Sequence, residues 1–274
     1  MKPAAFEFVR PATLAQASRF LTEGNGSARL VAGCQSLGPM LNLRLATPRM
    51  LIDLTGIPEL TRIEDGRDSV TIGACVTTAY IEDARLPGRG IDALARIASN
   101  IAYRAVRNRG TIGGSFCHAD PAADWVSTLC VLEAECIVYS NGKQRRIAAD
   151  RFMLGAYEIA LAPSEILEAI RIPRLPDGAR CGFYKVCRKA GEFASALGAA
   201  VLDPSRDRLR AVIGATRGKP IVVPDARPLF GRGLAIDEKA VLALLDRNNI
   251  SDPTARQQHV AALSRAYRQA ISPP

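Results

Sequence analysis

Between Arg107 and Asp124 the chain reads Arg-Asn-Arg-Gly-Thr-Ile-Gly-Gly-Ser-Phe-Cys-His-Ala-Asp-Pro-Ala-Ala-Asp, a dense set of residue types suited to gripping an anion. Gly113 and Gly114 lack a Cβ, so their backbone can take positive φ and turn successive N–H groups toward an anionic oxygen. Thr111 and Ser115 flank the pair with hydroxyl donors, and Ile112 fills the position between. Asp120 has the character of an N-cap, Pro121 suits a first helical position, and Val126, Leu129 and Leu132 supply an apolar face behind them. Asp124, four residues after Asp120, is expected on nearly the same side, where a carboxylate can accept from a hydroxyl or a ring N–H. Taken alone, a Gly-Gly turn before a capped helix is more often only a turn.

A second glycine loop shifts that balance. Residues 28–32 have the pattern of a short strand and run directly into Gly33-Cys34-Gln35-Ser36-Leu37-Gly38-Pro39. Two amide-rich loops in one domain can hold a pyrophosphate from two sides. Neither matches G-x-G-x-x-G and neither carries the lysine of G-x-x-x-x-G-K-[ST], which disfavours a Rossmann dinucleotide site and a P-loop. What remains is a dinucleotide held between loops.

Four blocks resemble the FAD-binding (medium) subunit of molybdenum hydroxylases, the family of carbon monoxide dehydrogenase, quinoline oxidoreductase and the flavin domain of xanthine dehydrogenase. They are Ala32-Gly33-Cys34-Gln35-Ser36-Leu37, the run from Arg107 to Ser115, Ala119-Asp120-Pro121-Ala122-Ala123-Asp124, and the run from Tyr184 to Ala194. They stand in the family's order and cover most of the chain. The resemblance implies FAD as cofactor, with residues 32–37 and 111–115, Asp120, Asp124, Leu167, Lys185 and Phe193 as its contacts. It implies that molybdopterin and two iron–sulfur clusters sit on partners, a large molybdopterin subunit and a small iron–sulfur subunit, in a dimer of heterotrimers. In that family the first loop usually reads Ala-Gly-Gly, and here Cys34 takes the place of the second glycine. If that position requires positive φ, cysteine is strained there by roughly one kcal/mol.

The elements that must position these loops follow from periodicity. A strand at 6–9, a helix at 13–23 with Leu14, Ala17, Phe20 and Leu21 inward, the strand at 28–32 and a strand at 50–53 form a small α/β unit. A hairpin is expected from 60–63 and 70–72, a short helix from 77, and one helix from 92 to 106, where Leu94, Ile97, Ala98, Ile101 and Ala105 recur at helical spacing. Another helix is expected to begin at Pro121. Ser140-Asn141-Gly142-Lys143, flanked by strands expected at 136–139 and 144–147, signals a hairpin, and a strand follows at 166–172. Pro173-Arg174-Leu175-Pro176-Asp177-Gly178 reads as a boundary. Beyond it lie three antiparallel strands and two helices. The expected fold is α+β: a loop-held FAD-binding domain of the vanillyl-alcohol-oxidase/PCMH-like kind at 1–175, with subdomains 1–56 and 57–175, then a C-terminal domain at 176–274 with a three-stranded sheet.

Composition bounds the function. With 274 residues, 48% hydrophobic and 23% charged, the chain is ordinary for a globular protein of two domains. It holds no apolar run of about eighteen residues and no signal-peptide core near its start, so a cytoplasmic protein is expected. Seven cysteines include no C-x-x-C pair, which suits small buried hydrophobes in a reducing compartment better than a metal or iron–sulfur site. Two histidines, His118 and His259, lie too far apart to form a metal site together, and no metal is expected. The net charge is +9, but the arginines are scattered and aromatic content is 5%, so nucleic acid is not inferred. Arg104, Arg107 and Arg109 could face phosphate or an acidic partner, or simply solvate a helix end.

No nucleophile, acid–base pair or metal centre stands out. Three functions fit: an FAD-containing electron-transfer subunit passing electrons from a partner's iron–sulfur clusters to an external acceptor; a self-contained flavin oxidase of the vanillyl-alcohol-oxidase kind, for which the chain is short; and a flavin-free interaction subunit.

Overall fold

The computed structural model describes residues 2–83, 92–231 and 235–272. Strand β1 (Glu7–Val9), helix α1 (Leu14–Glu23), strand β2 (Ala28–Val31), helix α2 (Leu37–Asn42) and strand β3 (Met50–Asp53) form the first unit, with a parallel sheet in the order β1-β3-β2. Helix α1 starts where the Thr13 hydroxyl accepts from the Gln16 N–H and stops at Gly24, and it buries Leu14 and Ala17.

The second unit contains β4 (Ile63–Asp65), β5 (Ser69–Gly73), α3 (Thr78–Asp83), α4 (Asp92–Ser99), α5 (Arg104–Arg107), α6 (Ile112–His118), α7 (Asp124–Val131), β6 (Glu135–Ser140), β7 (Lys143–Ala148), α8 (Ala149–Phe152), β8 (Met153–Gly155), β9 (Glu158–Ile159) and β10 (Ile166–Pro173). Its antiparallel sheet has the order β4-β5-β10-β6-β7. Asn141 and Gly142 both take positive φ, +48° and +80°, as a two-residue turn between twisted strands requires.

Four expectations are corrected here. The expected strand at 60–63 is shorter at its start: Leu60 ends a 3-10 turn, Pro58–Leu60, and strand pairing begins at Ile63. The single helix at 92–106 is two: α4 ends at Ser99, Ala102 turns to φ +46°, and the chain restarts as α5. Tertiary pairing overrides the helical pattern, since Ile101 forms a bridge with Gly191. The stretch through Gly113 and Gly114 is not a positive-φ turn but the first turn of α6, and the next helix begins at Asp124 rather than Pro121.

The last unit has β11 (Arg180–Val186), β12 (Ala196–Asp203), β13 (Arg208–Gly214), β14 (Ile221–Val223), α9 (Glu238–Arg247) and α10 (Pro253–Ile271). Its sheet is four-stranded, β11-β12-β13-β14, where three strands were expected; the three-residue β14 is too short to announce itself by alternation. Helix α10 rests on this sheet at backbone contact: a Cβ on Gly198 would stand 2.4 Å from the Ala262 carbonyl oxygen. The other face receives α7, which is buried along its whole length. One continuous core therefore runs from Val70 and Ile170 through Phe116, Trp125 and Leu129 to Ala199 and Val212. Arg210 of β13, buried, reaches the Cys130 carbonyl at 3.2 Å and the Asp150 carboxylate at 3.1 Å, tying the last sheet to α7 and α8. Among the described residues no helix is long and apolar enough to cross a membrane.

Candidate functional site

The loop leaving β2 holds five consecutive backbone N–H groups, from Gly33 to Leu37, that donate to no acceptor among the described residues. Cys34 lies in the left-handed region at φ +60°, followed by right-handed Ser36 at φ −105° and ψ −49°. A turn that combines left-handed and right-handed residues can fold successive N–H groups around an anion. The Gln35 amide donates to the Gly33 carbonyl at 3.2 Å, bracing the loop from within. Burial pushes the Cys34 thiol above its ordinary range, with Arg109 pulling the other way, so this residue stays a thiol rather than a thiolate nucleophile.

The second loop abuts the first. A Cβ on Gly33 would stand 2.1 Å from the Arg109 carbonyl oxygen, one on Gly114 3.5 Å from the Ala32 Cβ, and one on Gly110 3.7 Å from the Gln35 side chain. The amides of residues 112–115, however, are spent within the fold, and among the described residues only the Thr111 N–H of this loop donates to no acceptor. Ile112 and Gly113 donate to the carbonyls of Val76 and Ala74 at 3.1 and 3.0 Å, Gly114 to the Thr111 hydroxyl at 3.0 Å, and Ser115 to the Thr111 carbonyl at 3.0 Å. The two loops are therefore unequal: the first offers five undonated N–H groups, the second that of Thr111 alone, and the rest of the second acts as a buttress. Its glycines serve close approach, since a Cβ on Gly113 would stand 2.6 Å from the Ala74 carbonyl oxygen.

A third cluster joins the last sheet to these loops. Lys185 donates to the Asn100 carbonyl at 2.7 Å and to Asp124 Oδ2 at 3.2 Å, and stands 3.0 Å from Asp124 Oδ1, off the line of a hydrogen bond. Both side chains are buried, at 7% and 6% exposure, and Oδ1 has no hydrogen-bond donor. Burial raises the Asp124 carboxyl above its ordinary range while Lys185 pulls it back. Asp120 does not share a helix face with Asp124. It closes a turn by accepting from the Ala122 N–H at 2.9 Å, and its other oxygen accepts from the Tyr157 hydroxyl at 3.4 Å, which raises that phenol. Leu167 is core in β10, 3% exposed, whereas Phe193 is 67% exposed on the loop after β11.

Residues 4–175 match the family model described as the FAD binding domain in molybdopterin dehydrogenase. The chain belongs to this family. The nicotine 6-hydroxylase medium subunit of Paenarthrobacter nicotinovorans is 35% identical to it over 246 residues, 89% of this chain and 86% of that one. A carbon monoxide dehydrogenase medium chain of Afipia carboxidovorans is 34% identical over 250 residues, covering 89% and 87%. The cyanide-inactivated Cu,Mo-CO dehydrogenase superposes with TM-score 0.89 at 30% identity over 98% of this chain and 99% of the other. Quinoline 2-oxidoreductase from Pseudomonas putida 86 gives TM-score 0.86 at 29% identity over 98% of each.

A molybdopterin dehydrogenase FAD domain must seat a dinucleotide, and three features suit one: the free amides of residues 33–37, the glycine-tight junction of the two loops, and the buried, undonated Oδ1 of Asp124. Membership favours the FAD-binding subunit over the self-contained oxidase and the flavin-free alternative. Sequence reasoning missed Ala74, Val76, Asn100 and Ala102, all of which act through backbone carbonyls that no side-chain pattern marks. It also missed Gly191, which takes φ +85° and where a Cβ would stand 2.7 Å from the Ala102 carbonyl oxygen. A glycine among charged residues was the signal available.

Proposed function

We propose that this chain is the FAD-binding electron-transfer subunit of a molybdenum hydroxylase complex. The observation that carries this is the row of five free N–H groups at residues 33–37, pressed against the second loop. Bound there, FAD supplies the redox chemistry, taking electrons from the iron–sulfur clusters of a small partner subunit and yielding them to an external acceptor. Substrate oxidation belongs to a large molybdopterin subunit, and the assembly is a dimer of heterotrimers in the cytoplasm. All seven cysteines are free, which fits a reducing compartment.

The roles of individual residues follow. Ala32 to Leu37 hold the pyrophosphate through main-chain donors. Thr111 to Ser115 set the shape of that cradle, with the Ser115 hydroxyl as a further donor. Asp120, Asp124 and Lys185 hold polar atoms of the cofactor, Leu167 packs beneath it, and Phe193 lies against its ring. Residues 1–175, in subdomains 1–56 and 57–175, form the cofactor domain, and 176–274 form the domain that carries Lys185 and Phe193 to it.

The test is direct. The purified protein should carry one FAD per chain by absorbance and by chromatography of the released flavin, and should co-purify with a molybdenum-containing large subunit and an iron–sulfur subunit. A colourless protein that takes up no added FAD would defeat the reading. A yellow protein with no partner, oxidising a substrate alone, would revive the self-contained oxidase.

A further inference from the structure

The registers Val186 with Ala196 and Leu197 with Gly214 place the loops 187–195 and 215–220 on the same edge of the last sheet. That edge lies against the segments on either side of the second loop, at residues 100–102 and 121. Lys185 reaches Asn100, Ile101 bridges Gly191, and the Ala215 N–H donates to the Pro121 carbonyl at 3.0 Å. Only the four-residue α5, about 6 Å of helix axis, separates this contact from the junction with the first loop. The edge is strongly basic. Arg188 is paired with Glu192 at 3.5 Å, but Lys189, Arg217 and Lys219 are exposed and make no ion pair among the described residues.

We infer that this edge is where the electron acceptor arrives, and that it selects a small, multiply charged anion. The inference rests on FAD occupying the site proposed above. Strands β11 and β13 flank β12, so the two loops emerge about 10 Å apart. A patch of that width fits a small molecule, whereas a stable protein partner needs about 800 Å² on each side. Three uncompensated cations beside an exposed aromatic ring at Phe193 would concentrate an anion where electrons leave, and charge-steered encounter speeds association by about 10- to 1,000-fold.

Ferricyanide, neutral ubiquinone-1 and cationic thionine test the selection. The flavin of the purified complex is reduced anaerobically, and its reoxidation by each acceptor is followed at low and high ionic strength. With ferricyanide, two ions each take one electron to become ferrocyanide, and the two protons of the reduced flavin pass to solvent. The Lys189→Glu/Arg217→Glu/Lys219→Glu variant should slow ferricyanide by roughly tenfold or more, remove its salt dependence, speed thionine and leave ubiquinone-1 within about twofold. The corresponding glutamine variant should fall between. Redox-inert hexacyanocobaltate gives a readout that needs no turnover: calorimetry should detect its binding to the wild-type complex and at least tenfold weaker binding to the glutamate variant. Equal effects on all three acceptors, or none, would overturn the inference while flavin content stays normal. Dissociation of the complex by the glutamate variant would overturn it too, by making this edge a subunit interface. Wild-type protein without flavin would instead defeat the underlying reading.

Discussion

Gly33 stands so close to Arg109 that any side chain on it would occupy the Arg109 carbonyl: a Cβ would be 2.1 Å from that oxygen and 2.7 Å from its carbon. Both atoms are backbone, so neither can rotate away, and the loops must part. Gly33→Ala should therefore destabilise the protein by about 3 kcal/mol, the upper end of overpacking costs, and reduce bound FAD more than it reduces folded protein. Gly56→Ala is the control, since nothing lies within 4 Å of a Cβ there and its φ is ordinary; it should be neutral. Urea denaturation and flavin content of the two variants check this, and equal behaviour would refute the tight junction.

Cys34 occupies a left-handed conformation at φ +60°, where a side chain costs about 1–2 kcal/mol relative to glycine. Glycine would remove that cost but give back about 0.5–1 kcal/mol in unfolded-chain entropy. Cys34→Gly is thus expected to be neutral or stabilising by about 1 kcal/mol, whereas the β-branched Cys34→Val should be clearly destabilising. Thermal melts of the flavin-free proteins measure the order, and a valine variant as stable as glycine would show that the loop can relax.

How far the sequence discloses this architecture depends on what each residue answers to. The hairpin at Asn141-Gly142 was legible because its turn chemistry is local, and the helices at the C-terminus because their apolar spacing is long and regular. The pair Gly113-Gly114 was located correctly but explained wrongly, since close packing against Ala74 leaves the same glycine signature as a positive-φ turn. The break after Ser99 could not be seen, because Ile101 keeps helical spacing while answering to Gly191 far along the chain. The candidate residues of the site were named through family resemblance, and their wiring could not be: nothing local shows that the amides of 33–37 are free while those of 112–115 are spent.

Lys185 and Asp124, 61 residues apart in sequence, should behave as a unit. Lys185→Met leaves a buried carboxylate without its counter-charge, a loss on the order of 3–5 kcal/mol, while Lys185→Met/Asp124→Asn should cost less than the sum of the single changes. Loss of Lys185 also removes the group that pulls the Asp124 carboxyl down, so burial will raise it further. A carboxyl raised in the folded state favours folding when protonated. Stability of Lys185→Met should therefore fall as pH rises from the ordinary carboxylate range through the raised value. Denaturation of the flavin-free variants across pH tests this, and strictly additive losses would show that the two side chains do not interact.

His259 makes the opposite pH signature. It is buried in α10 with no hydrogen bond to Nδ1, and burial lowers its imidazole from 6.5 to about 4. Above the unfolded value it is neutral in both states and costs nothing. Below it the unfolded chain gains a proton that the folded chain refuses, so stability is lost as pH falls, by roughly 1 kcal/mol at about pH 5.5 and up to about 3 kcal/mol by pH 4. Glu82 and Glu165, held low by Arg107 and Arg145, add their own losses only below the ordinary carboxylate range. The interval between about pH 7 and 5.5 thus isolates His259 from both carboxylates. Urea denaturation should show the wild type losing more stability than His259→Leu as pH falls across that interval, the Asp124 contribution being common to both. The same slope in both proteins would mean that the imidazole reaches water in the folded state.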